Sequence, residues 1–224
     1  MTALPMADTA PVILRVVELA DVGRTAHIHA ASLPGGFFVA LGQRFLRSYH
    51  RTFLTSPAGV AILAESEGET VGFIVGTIDE ATHYRHVVRR DRWSLGARGL
   101  LALITKPRLA LRFVRTRALR YGRGLVRLSR RPAELPSEVT PLLTCGVLSH
   151  MAVEPSSRGA GIGATLLSAF EETACALGAR TVRLSTATDN TAAQSFYERA
   201  GWQRSDVRSD VDGHSWVHYS RSLR

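Results

Sequence analysis

From Val153 to Phe170 the chain reads VEPSSRGAGIGATLLSAF, with glycines at 159, 161 and 163 and an apolar helical pattern directly after. Glycine lets a backbone approach a ligand closely. The N–H groups that open a helix point outward and carry partial positive charge, so a phosphate is their natural ligand. A Walker A loop would need a Gly-Lys-Ser/Thr ending, and the only lysine, Lys106, lies far upstream. A dinucleotide fingerprint, G-x-G-x-x-G/A, is met literally by Gly159, Gly161 and Ala164. Its first glycine should follow its strand at once; here Glu154, Pro155, Ser156, Ser157 and Arg158 intervene.

A second pattern, NTAAQSFYERAGW, runs from Asn190 to Trp202. Together the two stretches resemble the paired signatures of the GCN5-related N-acetyltransferase (GNAT) superfamily. Arg158, Gly161 and Gly163 fill the first, R/Q-x-x-G-x-G/A after a strand ending in Val. Asn190, Ala193, Tyr197, Gly201 and Trp202 fill the second, N-x-x-A-x-x-x-Y-x-x-x-G-[FW]. The resemblance covers roughly residues 12–80 and 141–224.

The resemblance implies acetyl-CoA as donor substrate and no metal. Arg158, Gly159, Ala160, Gly161, Ile162, Gly163 and Ala164 would cradle the CoA pyrophosphate through main-chain N–H groups. Met151, Ala152 and Val153 would pair with the pantetheine amides where their strand splays from the next, near Leu184–Thr186. Asn190 and Ala193 would add cofactor contacts, and Asn190 also suits a helix cap. Tyr197 would be the catalytic acid, because a phenol near the departing thiolate is able to protonate it. The implied reaction is direct attack of a primary amine on the thioester, its oxyanion held by backbone N–H near Val153. The implied acceptor is a small-molecule amine or an amino sugar, with anionic or sugar-linked acceptors among the readings and a protein N-terminus or lysine as the alternative.

The general base is not assigned. Some members carry a Glu in the strand before the Asn, where this chain has Ser185. The strand before the loop offers His150 and Glu154. Simple alternation puts Val147, Ser149, Met151 and Val153 on one face and His150 on the other. His83 and His86 are further candidates. A chain without a base would be a non-catalytic CoA-binding or membrane-associated module, which is the competing reading.

These residues need elements to hold them. VILRVVEL is expected as a first strand, ADVGRTAHIHAASL as a helix stopped by Pro34-Gly35-Gly36, and FFVALGQRFLRSYHRTFLTS as a second helical run. GVAILAES and ETVGFIVGTI read as a hairpin. The second half reads strand–helix–strand–helix, then an antiparallel pair around Asp212-Gly213. The expected fold is mixed α/β, an acyl-CoA N-acyltransferase sheet, mostly antiparallel, with helices on both faces and an opening between its fourth and fifth strands. Residues 1–224 are expected to form one such domain, with a basic, mostly helical insertion at about 81–140.

Charge supports that division. The chain of 224 residues has net charge +9. Residues 85–131 alone hold 15 basic side chains against one acid, Asp91, so the remainder is net acidic. Three readings fit the basic segment: a solvated Arg face, Arg forks for an anionic acceptor, or docking on an anionic membrane. Clustered arginine without a binding motif is a weak signal for nucleic acid, which is not expected. The 45% hydrophobic fraction fits a globular protein. No leader pattern and no span of about 18 apolar residues is seen. Cys145 and Cys175 lack metal-ligand spacing and are expected as free, buried thiols. A cytoplasmic protein, with peripheral membrane contact through 85–131, is the expectation, and a homodimer is left open.

Overall fold

A computed structural model describes residues 11–113, 144–209 and 213–223. The expected second part of the insertion (114–140) and the Asp212 end of the last turn lie outside the described residues. In chain order the elements are β1 (Val12–Val16), α1 (Val22–Ser32), α2 (Phe37–Ala40), α3 (Gln43–Thr55), β2 (Gly59–Ser66), β3 (Glu69–Thr77) and α4 (Glu80–His86). A π-turn, Val87–Asp91, leads into α5 (Arg92–Ile104), and α6 is Pro107–Phe113. Then come β4 (Thr144–Val153), α7 (Ile162–Ala176), β5 (Ala179–Ala187), α8 (Thr191–Arg199), β6 (Gln203–Ser209) and β7 (Ser215–Ser222).

The strands form one seven-stranded sheet in the order β1-β2-β3-β4-β5-β7-β6. All pairs are antiparallel except β4 with β5. One sheet face is covered by α7 and α8: Leu166, Leu167 and Phe170 pack on Ile62, Ile74, Leu148 and Val182. The other carries α1 and α3, where Ile28 and Phe53 pack on Leu63, Phe73 and Val75. Burying two faces explains why β2 and β3 are almost continuously apolar rather than alternating.

Local chemistry sets the helix ends. Asp79 caps α4, its Oδ1 accepting from the N–H of Ala81 at 2.9 Å and of Thr82 at 3.2 Å. Pro107 opens α6, where its missing N–H costs nothing. The run expected as one helix from Phe37 is two, because Gly42 ends α2 and begins α3. The expected insertion is helical as far as it is described, with α5 seated on α3: a Cβ on Gly99 would touch the Phe45 ring at 3.6 Å. Cys145 and Cys175 are half-buried, not fully buried as expected. Among the described residues no helix is long and apolar enough to cross a membrane.

Candidate active site

β4 and β5 run side by side only from Thr144↔Ala179 to Val147↔Arg183. Beyond that pair β4 continues to Val153 and β5 to Ala187 without a ladder between them. The sheet therefore opens into a V, flanked by two strand edges whose N–H and C=O groups can pair with an extended ligand. Met151, Ala152 and Val153 lie on one edge, and Leu184, Ser185 and Thr186 on the other.

The cause is in β4. Val75 pairs with His150 but Gly76 pairs with Leu148, so Ser149 is an extra, bulged residue. A bulge bends its strand and resets the faces after it. This corrects the simple alternation expected from the sequence. Leu148, Met151 and Val153 all pack toward α7 and α8, while Ala152 packs toward α1 and α3. His150 joins Ala152 on the second face, its ring 4.4 Å from that of His29.

The glycine loop closes the V at one end. A short 3-10 turn, Pro155–Ser157, follows β4, and Arg158 Nε donates back to the Val153 carbonyl at 3.1 Å. Gly159 has φ +86° and Gly161 φ +79°, a left-handed conformation in which a Cβ is strained. Gly161 caps α7, its carbonyl taking the N–H groups of Ala164 and Thr165. Among the described residues, the backbone N–H groups of Gly159, Ala160, Gly161, Ile162 and Gly163 donate to no backbone partner. Five consecutive free donors at a helix start match a phosphate ligand.

The second motif adjoins the first. A Cβ on Gly163 would meet Phe196 of α8 at 3.6 Å and Val153 at 4.0 Å. Asn190 caps α8, its Oδ1 accepting from the N–H of Ala193 at 3.2 Å. One turn on, Tyr197 is only 7% exposed, among Phe196, Trp202 and Tyr219. Burial pushes its phenol up to about 12, so it stays protonated at neutral pH. A buried tyrosine hydroxyl normally finds a partner; among the described residues none bonds that of Tyr197.

Histidines crowd the face of the V toward α1 and α3. His29 Nδ1 lies 2.9 Å from His50 Nε2, and His50 Nδ1 lies 3.1 Å from the Thr25 hydroxyl. His150 Nε2 meets the Tyr49 hydroxyl at 3.1 Å. Burial holds His29 down at about 4 and, with the neighbouring His29, His50 at about 3. Burial, His29 and His50 hold His150 well below the ordinary imidazole value. His83 is stacked on Phe53 with centroids 4.7 Å apart, and burial holds it at about 4. His86 bonds the Thr55 hydroxyl at 3.2 Å. Glu154 pairs with Arg24 at 2.8 Å. Ser185, on the β5 edge, is exposed on this same face, and its hydroxyl lies 2.7 Å from Nδ1 of His218, its cross-strand neighbour on β7. His218 carries no local motif. Only the β5–β7 register brings it to the site.

Comparison with known proteins agrees with this geometry. Residues 124–202 match the model of the acetyltransferase (GNAT) family. Solved structures of the same fold include Ard1 from Thermoplasma volcanium (18% identical, covering 95% of this chain and 98% of that one, TM-score 0.57). An N-acetyltransferase from Staphylococcus aureus Mu50 superposes at TM-score 0.59 with 13% identity, covering 96% of this chain and 100% of that one. The ribosomal-protein-S18-alanine N-acetyltransferase from Escherichia coli is 12% identical, covering 95% of this chain and 94% of that one, with TM-score 0.56. No curated relative matches the chain. The splayed sheet and its glycine loop give this chain the fold that these solved acetyltransferase structures share. The match to the acetyltransferase (GNAT) family lies in residues 124–202, the part of the chain that carries the glycine loop and the Asn190–Trp202 motif.

Proposed function

We propose that this protein transfers an acetyl group from acetyl-CoA to a primary amine by direct attack, and that the amine belongs to a small molecule or an amino sugar. The carrying observation is the continuity of three features: five free loop N–H groups, the open β4–β5 edges, and the unbonded Tyr197 hydroxyl. In this reading Arg158 to Ala164 hold the pyrophosphate, and Met151, Ala152 and Val153 take the pantetheine. Asn190 and Ala193 add contacts to the same cofactor. Bound acetyl-CoA supplies an activated acetyl thioester. Backbone N–H near Val153 stabilises the carbonyl oxygen as it gains charge, and Tyr197 returns a proton to the departing sulfur.

The basic segment supports an anionic acceptor. Between residues 85 and 111, Arg85, Arg89, Arg90, Arg92, Arg98, Lys106 and Arg108 stand against one acid, Asp91. Arginine forks suit phosphate or carboxylate. The solved structure named for a ribosomal-protein alanine makes a protein N-terminus the alternative acceptor. An amine panel of amino sugars, sugar nucleotides and Ala-terminated peptides, read by mass spectrometry for a gain of acetyl, tests the proposal. Labelled peptides with unlabelled sugars would replace the small-molecule reading. Tight CoA binding with no product on any amine would leave a CoA-binding module.

A second reading concerns location. α5 leaves Trp93, Leu100, Leu101 and Ile104 exposed on one stripe beside arginines, which supports peripheral contact with an anionic membrane.

A further inference from the structure

We infer that His218, acting through the Ser185 hydroxyl, takes the proton from the acceptor amine. This rests on the acetyl-transfer reading above. An amine that attacks a carbonyl held between the β4 and β5 edges must lose a proton as the new N–C bond forms. Tyr197 packs with the α7 and α8 face of the sheet, where it serves the sulfur. The nitrogen's proton needs a group on the opposite face, near the open end of the strands.

Among the described residues six histidines belong to that face or its rim: His29, His50, His83, His86, His150 and His218. The first three and His150 are poor acceptors. Each sits in apolar or imidazole surroundings that penalise an added charge, and His29, His50 and His150 touch one another, so a proton on one would repel the next. His86 bonds Thr55 and lies 4.0 Å from Asp91, on the helices rather than on the V. His218 differs in place and setting. It is half-exposed and lies across from Ser185, two residues past the last β4–β5 pair. Among the described residues nothing bonds its Nε2. Of the charged side chains on the adjoining strands, Arg183 of β5 is matched by Glu80 of α4, and Asp206 of β6 by Arg208. Ser205 of β6 is engaged by the His218 carbonyl.

The 2.7 Å contact sets the direction of transfer. With Nδ1 as acceptor, the neutral ring carries its hydrogen on Nε2, toward water, and the Ser185 O–H donates to Nδ1. The Ser185 oxygen is then free to accept from the incoming nitrogen. As N–C forms and C–S breaks, the amine proton passes to Ser185 Oγ and the serine proton to His218 Nδ1. Tyr197 gives its proton to sulfur. Exchange with water returns a proton from the imidazolium and one to the phenolate, so the sum is amine plus thioester giving amide plus thiol. A serine alone could not hold the proton; the imidazole behind it is what makes the position basic.

The test uses the full chain, acetyl-CoA and whichever amine of the panel the wild type acetylates, with thiol release followed from pH 5 to 9. His218→Gln is expected to lower kcat/KM by about 10²- to 10⁴-fold. It should also change the shape of the wild-type pH profile, with Kd for CoA and Tm held. Ser185→Ala should lower the rate and Ser185→Thr should restore it. A wild-type pH profile retained in His218→Gln overturns the assignment alone. So does an inflection that His150→Gln removes and His218→Gln keeps. A wild type that binds CoA yet acetylates no amine overturns the acetyl-transfer reading, and the assignment with it.

Discussion

Val147 and Arg183 form the last pair of the parallel ladder between β4 and β5, and every candidate chemical group lies beyond it. The Ser149 bulge, two residues later, bends β4 away and leaves Met151–Val153 unpaired toward β5. The same bend sets His150 against Tyr49 and His29 rather than into the V. The acid and the proposed proton acceptor thus come from elements on opposite faces of one gap.

The first prediction concerns the acid. Tyr197→Phe removes one oxygen from a packed ring, so the fold and CoA affinity should hold. Without a proton for the leaving sulfur, kcat should fall about 10²- to 10⁴-fold. Steady-state thiol release with isothermal titration of CoA checks it; an unchanged kcat would remove Tyr197 from the chemistry.

The second concerns the loop. Gly161 has φ +79° and open space where a Cβ would stand, so Gly161→Ala meets backbone strain and no clash. The strain costs about 1–2 kcal/mol. The loop is expected to relax toward negative φ and turn its N–H groups away from the phosphate. CoA Kd should rise about 10-fold or more, while Gly163→Ala, with no positive φ and only ordinary contact near Phe196, should be far milder.

The donor half of the site was legible because it is local. Gly159, Gly161 and the Asn190 cap are backbone devices, and a backbone device needs particular residue types at fixed spacing. Tyr197 was legible for the same reason, being one helical stretch from its cap. The acceptor half was not. Period-two reasoning set His150 opposite Met151 and Val153, where it lies, but it grouped Val147 with that pair, and the bulge at Ser149 brings Leu148 to their face instead. His218 lies 33 positions from Ser185 in sequence, and only the register of β5 on β7 joins them. The break at Gly42 was missed because Phe38, Leu41, Phe45 and Tyr49 keep helical spacing across it.

The third prediction is a stability profile. His50 is 1% exposed and its imidazole is held at about 3, against an ordinary 6.5, by burial and by His29. The unfolded chain therefore binds a proton below pH 6.5 that the folded chain refuses. Stability from this group is complete above pH 6.5 and is lost as pH falls toward 3, on the order of 5 kcal/mol in all. His29, at about 4, acts in the same direction. Urea midpoints between pH 7 and 4 should fall more steeply for wild type than for His50→Leu, whatever the variant loses at pH 7. Parallel slopes would show that His50 is protonated in the folded protein.

The fourth prediction tests the exposed stripe of α5. Its inner side, Leu95, Gly99, Ala102 and Leu103, is turned toward α3 and half-buried. Its outer side leaves Trp93 76% and Ile104 70% exposed, with Leu100 and Leu101 between them. Spacings of 7, 8 and 11 residues put all four on one line of a helix. A helix apolar on two sides has a second partner to cover, and Arg92, Arg98, Lys106 and Arg108 make an anionic bilayer the complementary one. Each basic group near such a surface contributes about 1 kcal/mol, reduced by salt. The protein should float with phosphatidylglycerol vesicles at low salt, remain behind with neutral vesicles, and lose flotation in a Trp93→Ser, Leu101→Ser, Ile104→Ser variant of unchanged Tm. Equal recovery of this variant and wild type would place the stripe against something other than lipid. Concentration-dependent association in sedimentation would then identify a second copy of the chain.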